Sequence, residues 1–349
     1  MFAAVLHEGH SIDVENIHEQ PLEAEEVRVK VMAAGICGSD THKMRTKWKY
    51  GFPAVMGHEL SGEVIEIGSK VTKFSIGERV VGIPLLPCYE CEYCLSGEYS
   101  LCENYKMIGS HFYGAFAEKV VVPEKNLLNI DDLNYEEATM IEPLAVALHG
   151  VQGIDPKLGD TVLVFGAGNI GLLTIQALKI IGVKNIIAVD VKKGNLEEAK
   201  KYGADFTINS LVEDLEKLVK EYSGNSGVDI VLECAGSAIA QEQCLRVVKK
   251  HGKIAYIGIA YEDIHLPEDS FEKIFRHELT LKGFWNSYSA PFPGKEWTNS
   301  YNLIKQNKVN VKDMITHRFP LSQTKEAFEM ILEQKELDKK VLIIPNKEM

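Results

Sequence analysis

Four cysteines stand close together in this chain: Cys88, Cys91, Cys94 and Cys102, spaced C-x2-C-x2-C-x7-C. Two-residue gaps let successive thiolates converge on one tetrahedral ion, and the seven-residue return closes the fourth corner. Pro84, Pro87 and Gly97 interrupt regular structure around them, so residues 84–105 read as a separate metal-binding lobe. Four thiolates leave no vacant coordination position. A structural zinc is therefore expected, although an iron–sulfur cluster would use the same ligands.

A second set is scattered along the chain: Cys37 and Ser39 with His42 in Gly35-Ile36-Cys37-Gly38-Ser39-Asp40-Thr41-His42, then Gly57-His58-Glu59, and Glu142 before Pro143. Mixed sulfur, nitrogen and oxygen donors suit a catalytic zinc, which needs an exchangeable position. Each residue has a plainer reading. Cys37 alone fits a small buried apolar side chain, Ser39 a turn or capping hydroxyl, Glu142 a helix-start carboxylate and His42 a surface imidazole. Their combination carries the reading.

A third pattern is Gly166-Ala167-Gly168-Asn169-Ile170-Gly171, entered from the apolar run Thr161 to Phe165 and followed by an apolar helical face with Leu172, Ile175 and Leu178. A strand before and a helix after give this glycine motif its weight. Gly166 permits the turn, Gly168 lets the backbone approach a pyrophosphate, and Gly171 allows close packing of helix on sheet, whose free N–H groups meet the phosphates. Asp190, ending the next strand, stands where a carboxylate accepts both adenosine-ribose hydroxyls and repels a 2′-phosphate, which favours NAD. Lys192 and Lys193 weaken that exclusion without reversing it. Cys234, Gly236 and Gly258 are expected on the same sheet edge. A glycine turn with a surface aspartate in a non-nucleotide protein is the alternative.

The elements that would hold these residues fall into two grammars. Before about residue 155, short runs such as Val27 to Val31, Gly62 to Ile67, Arg79 to Ile83 and Ala117 to Val122 alternate with glycine and proline turns, as in a compact, partly open β barrel. After it, strands at 161–165, 185–189, 205–208, 229–233, 253–257 and 279–283 alternate with helical stretches near 169–181, 193–202, 211–222, 238–249 and 270–276. That alternation predicts a doubly wound parallel sheet. The tail carries helices near 295–306 and 323–334 and a strand at 340–344, and is expected to return to the first domain. The fold class is α/β, with domains at 1–152 plus 286–349 and at 153–285.

The length of 349 residues agrees with two cores. A formal net charge of −12 argues against nucleic-acid binding. No apolar run approaches a membrane span, and the amino terminus does not read as a signal peptide, so cytoplasm is the expected compartment. Seven cysteines are then read as thiols or metal ligands.

These features occur together in the order found in zinc-containing medium-chain alcohol and polyol dehydrogenases, which the chain resembles along essentially its whole length: the CGSD element at 37–40, GHE-x2-G at 57–62, the four-cysteine lobe and the glycine fingerprint. The resemblance implies a GroES-like first domain, a Rossmann second domain, two zincs per chain and NAD. It further implies that Cys37, His58 and Glu142 or Glu59 surround the catalytic zinc, with Ser39 and His42 relaying the alcohol proton and the nicotinamide held across the cleft between domains. Glutamate at 142, where ethanol-type enzymes carry cysteine, is similar to the polyol branch.

Within that branch, Val81 to Cys88, Met107 to Ser110 and above all Gly283 to Trp297 resemble polyol-phosphate dehydrogenases. The implied reaction is oxidation of galactitol 1-phosphate to tagatose 6-phosphate. Ser110, Trp285, Asn286 and Tyr288 are the expected substrate contacts, with His111, Lys106 and Lys295 as further phosphate candidates. Interleaved aromatics and amides at 283–297 equally suit a subunit interface, in a homodimer or homotetramer. An unphosphorylated polyol or vicinal diol substrate (sorbitol or butanediol) is the alternative within enzymes. A non-catalytic nucleotide-binding protein is the alternative outside them.

Overall fold

The computed structural model describes residues 1–46, 50–333 and 339–346. Backbone contacts divide the chain into two compact units, Met1–Glu142 with Tyr288–Met349, and Pro143–Ser287.

The first unit is built on a seven-stranded sheet. Its path runs Leu127–Asn129, Arg79–Gly82, Glu59–Ile67, Glu26–Gly35, Lys340–Ile344 and Ile315–Pro320, with Lys119–Pro123 also paired to Glu26–Gly35. The tail strand Lys340–Ile344 pairs antiparallel with Gly35 and Ala34 and parallel with Ile315–Pro320. The strand Ile315–Pro320 is not among the expected elements. The carboxy-terminal segment contributes Leu321, Phe328, Val341 and Ile343 to the same core as Val27, Val29, Leu60 and Phe116. Phe116 and Phe328 meet edge to face with centroids 5.9 Å apart.

The second unit carries a six-stranded parallel sheet in the order Phe206–Asn209, Asn185–Asp190, Thr161–Phe165, Val228–Glu233, Val248–Tyr256, Thr280–Gly283. Strands Thr161–Phe165 and Asn185–Asp190 are almost wholly buried, which explains their continuous apolar runs. Strand order reverses between Thr161–Phe165 and Val228–Glu233, and a crevice at the carboxyl ends of such a pair is where this architecture binds nucleotides.

Most boundaries stand within a few residues of the sequence reading, and the exceptions have local causes. The helix expected from 211 begins at Leu215, because Asp214 caps it by accepting from the Lys217 N–H at 3.0 Å. The stretch expected to be helical to 249 ends at Val247, where Val248 already pairs with Val228 as the next strand starts. The helix expected near 323–334 is observed as Thr324–Glu333, and its last expected residue lies outside the described residues. Helix Ile141–Ile154 is absent from the sequence reading.

Because Phe328 is only 1% exposed inside the first unit's core, Phe328→Ala should lower stability by about 3–5 kcal/mol, read from the shift of a urea unfolding midpoint. A shift under 1 kcal/mol would mean that the tail is not integral to that unit.

Candidate functional site

The strand Glu26–Gly35 ends directly before Ile36-Cys37, and the helix Gly38–Lys43 follows. The neighbouring strand Glu59–Ile67 begins next to His58 and pairs Glu59 with Gly35. Two adjacent strand ends thus bring the ligand atoms of Cys37, His58 and Glu59 within 4.8 Å of one another. The approach requires glycine at 35, because a Cβ there would meet Glu59 Oε2 at 2.0 Å.

Charged groups surround this trio. Asp40, fully buried, accepts the Cys37 N–H through Oδ2 at 3.1 Å and faces His58 Nδ1 with Oδ1 at 3.6 Å. This turns Nδ1 towards the carboxylate and leaves Nε2 as the nitrogen for an ion. Burial alone would raise the Asp40 pKa, yet Lys43 and His58 outweigh it and hold the carboxyl well below its usual range. Burial alone would lower His58, but Asp40 and Cys37 raise it well above the ordinary imidazole value. An imidazole so placed among anions belongs to a donor set that fits a divalent cation.

On the other side, Lys340 donates to Glu59 Oε2 and to the Ile36 carbonyl, the latter at 3.2 Å. Lys340 is 1% exposed, and Glu59 raises its pKa against the opposing effect of burial. Glu142, also buried, opens the helix Ile141–Ile154. Burial pushes it up to about 7, with the His58 and Glu59 charges acting on it in opposite directions. It neighbours the trio electrostatically without being one of the three converging ligands. Ser39 and His42 are both half-buried on the helix Gly38–Lys43, three residues apart and so on adjoining positions of one face. Burial lowers the His42 pKa.

The sulfurs of Cys88, Cys91, Cys94 and Cys102 also lie within 4.8 Å of one another. Backbone N–H groups of Cys91 and Cys88 donate to the sulfurs of Cys88 and Cys102 at 3.3 and 3.2 Å. Backbone hydrogen bonds also lower the Cys91 thiol to about 7. Donors aimed at sulfur favour thiolate, the form zinc takes, whereas burial raises the Cys94 and Cys102 thiols, so a cation among them would be needed to hold all four ionised. Both groups therefore fit zinc, the four-sulfur one as a closed site. A further group, His7 with Asp13 and Glu15, is exposed in part and has His7 hydrogen-bonded to Glu15 at 2.6 Å.

In the second unit, Gly166 has φ of +83°, and a Cβ there would press the Ala235 backbone at 2.7 Å. A Cβ at Gly171 would strike the Gly166 carbonyl at 1.7 Å. At Gly168 a Cβ meets nothing, and it caps the helix Asn169–Ile181 without a side-chain hydrogen bond, which leaves room beside the start of that helix. That space fits a pyrophosphate. Asp190 accepts from Ala167 N–H at 2.7 Å, Lys192 N–H at 2.8 Å and Asn195 Nδ2 at 3.1 Å, fastening the glycine turn to its own strand.

Glu233, which sequence reasoning passed over, organises the opposite lip. Fully buried, it accepts the N–H groups of Ala235 and Gly236 at 2.8 and 2.9 Å and a bond from Gln241 at 3.4 Å. It thereby shapes the turn holding Cys234 and Gly236, and Gly258 packs so close that a Cβ would meet Glu233 Oε2 at 2.7 Å. A glutamate at the end of an apolar strand was the available signal. Asp40, Lys43 and Lys340 were likewise not singled out; Lys340 lies 281 residues from Glu59 and has no local signature.

The expected substrate residues divide between the units. Ser110 is half-buried and receives a bond from Lys43 at 3.4 Å. Tyr288 is 2% exposed, stacked between Phe292 and Trp297 with centroids at 6.0 and 5.7 Å, and its hydroxyl has no hydrogen-bond partner among the described residues. Trp285 is exposed and Asn286 half-buried, in the second unit. The Asn286 Nδ2 is buried and likewise without a partner among the described residues. His111 accepts the Met107 N–H at 3.1 Å, and Lys106 stands over the Phe112 ring at 5.4 Å.

Comparison with known proteins places this arrangement. Residues 23–132 match the family described as the alcohol dehydrogenase GroES-like domain, and residues 169–305 match the zinc-binding dehydrogenase family. The chain is 36% identical over 328 residues to galactitol 1-phosphate 5-dehydrogenase of Escherichia coli strain K12, covering 92% of this chain and 93% of that one. It is 34% identical over 327 residues to sorbitol dehydrogenase of Halalkalibacterium halodurans, covering 92% of each. The crystal structure of galactitol-1-phosphate dehydrogenase from Escherichia coli superposes with a TM-score of 0.93 at 34% identity, over 99% of this chain and 100% of that one.

The two metal groups should separate experimentally. Cys37→Ser is expected to remove one zinc per chain while thermal stability and dinucleotide binding hold. Cys102→Ser should remove the other and lower Tm by roughly 10 °C, as loss of a few kcal/mol does in a protein of this size. Elemental analysis beside a melting curve reads both outcomes.

Proposed function

The chain belongs to the zinc-binding medium-chain dehydrogenase/reductase family, and from that premise we propose that it oxidises a secondary alcohol of a polyol phosphate with NAD, converting galactitol 1-phosphate to tagatose 6-phosphate. The observation that carries the reaction class is the convergence of Cys37, His58 and Glu59 within 4.8 Å amid buried charges. The phosphorylated substrate is supported by the likeness to the Escherichia coli enzyme, whose name states that activity.

In balance, the CHOH carbon gives a hydride to NAD and its oxygen gives a proton to solvent, leaving a ketone. A bound zinc supplies the Lewis acidity that makes the hydroxyl acidic, and NAD accepts the hydride. Cys37, His58 and Glu59 would hold the zinc, with Glu142 beside them able to exchange in. Ser39 receives the substrate's proton and His42 passes it on; a burial-lowered pKa keeps His42 neutral near pH 7 and able to accept. The turn Gly166 to Gly171, with Asn169 and Ile170, holds the pyrophosphate, and Asp190 the adenosine ribose. Cys234, Gly236 and Gly258 line the same sheet edge. Ser110, Trp285, Asn286 and Tyr288 are the proposed substrate contacts, the last two supported by buried donors without partners.

A homodimer or homotetramer is proposed from the exposed edge strand Thr280–Gly283 and the exposed Phe271 and Phe275. No described helix is long and apolar enough to cross a membrane, and a cytoplasmic location is part of the same proposal. A second reading, an unphosphorylated polyol as substrate, is favoured by the 34% identity to a sorbitol dehydrogenase over an equal share of the chain.

A substrate panel followed by NADH absorbance tests these readings. Galactitol 1-phosphate should exceed galactitol, sorbitol and 2,3-butanediol in kcat/KM by about 100-fold, because a pocket built around a phosphate loses transition-state binding without it. Sorbitol at or above the phosphate ester would move the assignment to the second reading. His42→Ala should lower kcat by about 100-fold with NAD affinity kept. Asp190→Ala should weaken NAD binding and narrow the preference over NADP; an unchanged cofactor ratio would remove Asp190 from ribose recognition.

A further inference from the structure

Lys43, at the end of the helix Gly38–Lys43, is 5% exposed, and a lysine is seldom buried without a specific demand for its charge. Its ammonium group donates to Asp40 Oδ1 at 3.0 Å, to the Gly109 carbonyl at 3.1 Å and to Ser110 Oγ at 3.4 Å. The first acceptor belongs to the carboxylate that holds the Cys37 N–H and faces His58. The second belongs to a residue packed on the chain just before His58: a Cβ on Gly109 would meet the Gly57 carbonyl at 2.7 Å. One cation therefore meets two of the features that fix His58, the anion beside its ring and the turn beneath its backbone.

We propose that Lys43 is a positioning residue of the Cys37–His58–Glu59 zinc site, acting through Asp40 and the Gly109 carbonyl to hold His58 in its ligating orientation. This rests on the reading of that trio as the catalytic zinc site. Asp40 without its cation would be a buried carboxylate facing chiefly an imidazole, and the relief open to it is to turn away, which loosens its grip on Cys37 and His58. Lysine also suits the geometry better than a planar guanidinium, since its three donors diverge towards acceptors on different elements.

Release of zinc from the holoenzyme to a colorimetric chelator tests the proposal, because it reads the site without turnover. Lys43→Met should release zinc from the trio about tenfold faster, the lower end of the range for outer groups of metal sites, while the four-cysteine zinc leaves at its original rate. Lys43→Arg should restore only part of the difference, because it returns the charge to Asp40 without the diverging donors. In an Asp40→Asn background, where the carboxylate charge is gone, Lys43→Met should add less than twofold, since both residues act along one path. Unchanged release in Lys43→Met, parallel loss of both zincs, or full additivity with Asp40→Asn would each overturn it. Should Lys43→Met fail to fold, Lys43→Gln, which keeps a donor but loses the charge, takes its place in each comparison with the same outcomes. A Cys37→Ser protein that retained both zincs would instead sink the reading of the trio itself.

Discussion

A buried carboxylate is tolerated only where a cation or several hydrogen bonds answer it, because the desolvation penalty amounts to several kcal/mol per ion. The first unit buries three around one point: Asp40, Glu59 and Glu142. Lys43 answers Asp40, Lys340 answers Glu59, and Glu142 is left to rise towards neutrality. Much of the surrounding architecture follows from meeting this demand. The tail strand Lys340–Ile344 must run beside Glu26–Gly35 for Lys340 to reach Glu59. The helix Gly38–Lys43 must start directly after Cys37 so that Asp40 and Lys43, three residues apart, share an ion pair beside His58. The arrangement has two lysines and an imidazole set among a thiol and three carboxylates, and a divalent ion bound to Cys37, His58 and Glu59 would complete the compensation.

The second unit solves a different problem, that of bringing backbone close to a ligand. Here glycines act by absence. Gly166 and Gly171 let the turn and helix close on each other, and the half-buried Asp190 and the fully buried Glu233 pin the two lips by accepting backbone N–H groups. Asp190 is thus fixed by bonds from Ala167, Lys192 and Asn195, and in its proposed ribose role it would not first have to be ordered.

What was legible in the sequence is what is local. The four cysteines span fifteen positions, the glycine fingerprint six, and each carries its geometry in its spacing. Strands buried on both faces announced themselves as unbroken apolar runs. The helix Ile141–Ile154 did not, since Pro143, Gly150 and Gly153 all read as breakers. Pro143 is tolerated in the first turn, where its missing N–H has no helical partner to lose. The two glycines are explained by packing: a Cβ at Gly150 would meet Ile257 at 2.3 Å and one at Gly153 would meet Phe284 at 2.1 Å. Lys340 and Ile315–Pro320 were illegible for a related reason, since their partners lie across the fold and nothing nearby in sequence records the pairing. Asp40 was in plain view within the CGSD element; its role depends on Lys43 and His58 being beside it.

The same charge accounting bears on substrate choice. Zinc chemistry is indifferent to what a secondary alcohol carries at its far end, so discrimination between a polyol and its phosphate must come from groups that meet the phosphate. A dianion asks for cations or several donors, yet the two buried lysines among the described residues of the first unit are already committed, Lys43 to Asp40 and Lys340 to Glu59. Withdrawing either to bind phosphate would strand a buried carboxylate, at a penalty of about 3–5 kcal/mol that would consume the gain. On the proposed reading, a substrate phosphate would therefore be met by neutral donors such as the Ser110 hydroxyl and by less buried cations. Contacts of that kind are weaker and more readily altered than a metal centre, which fits a family whose named relatives differ in polyol.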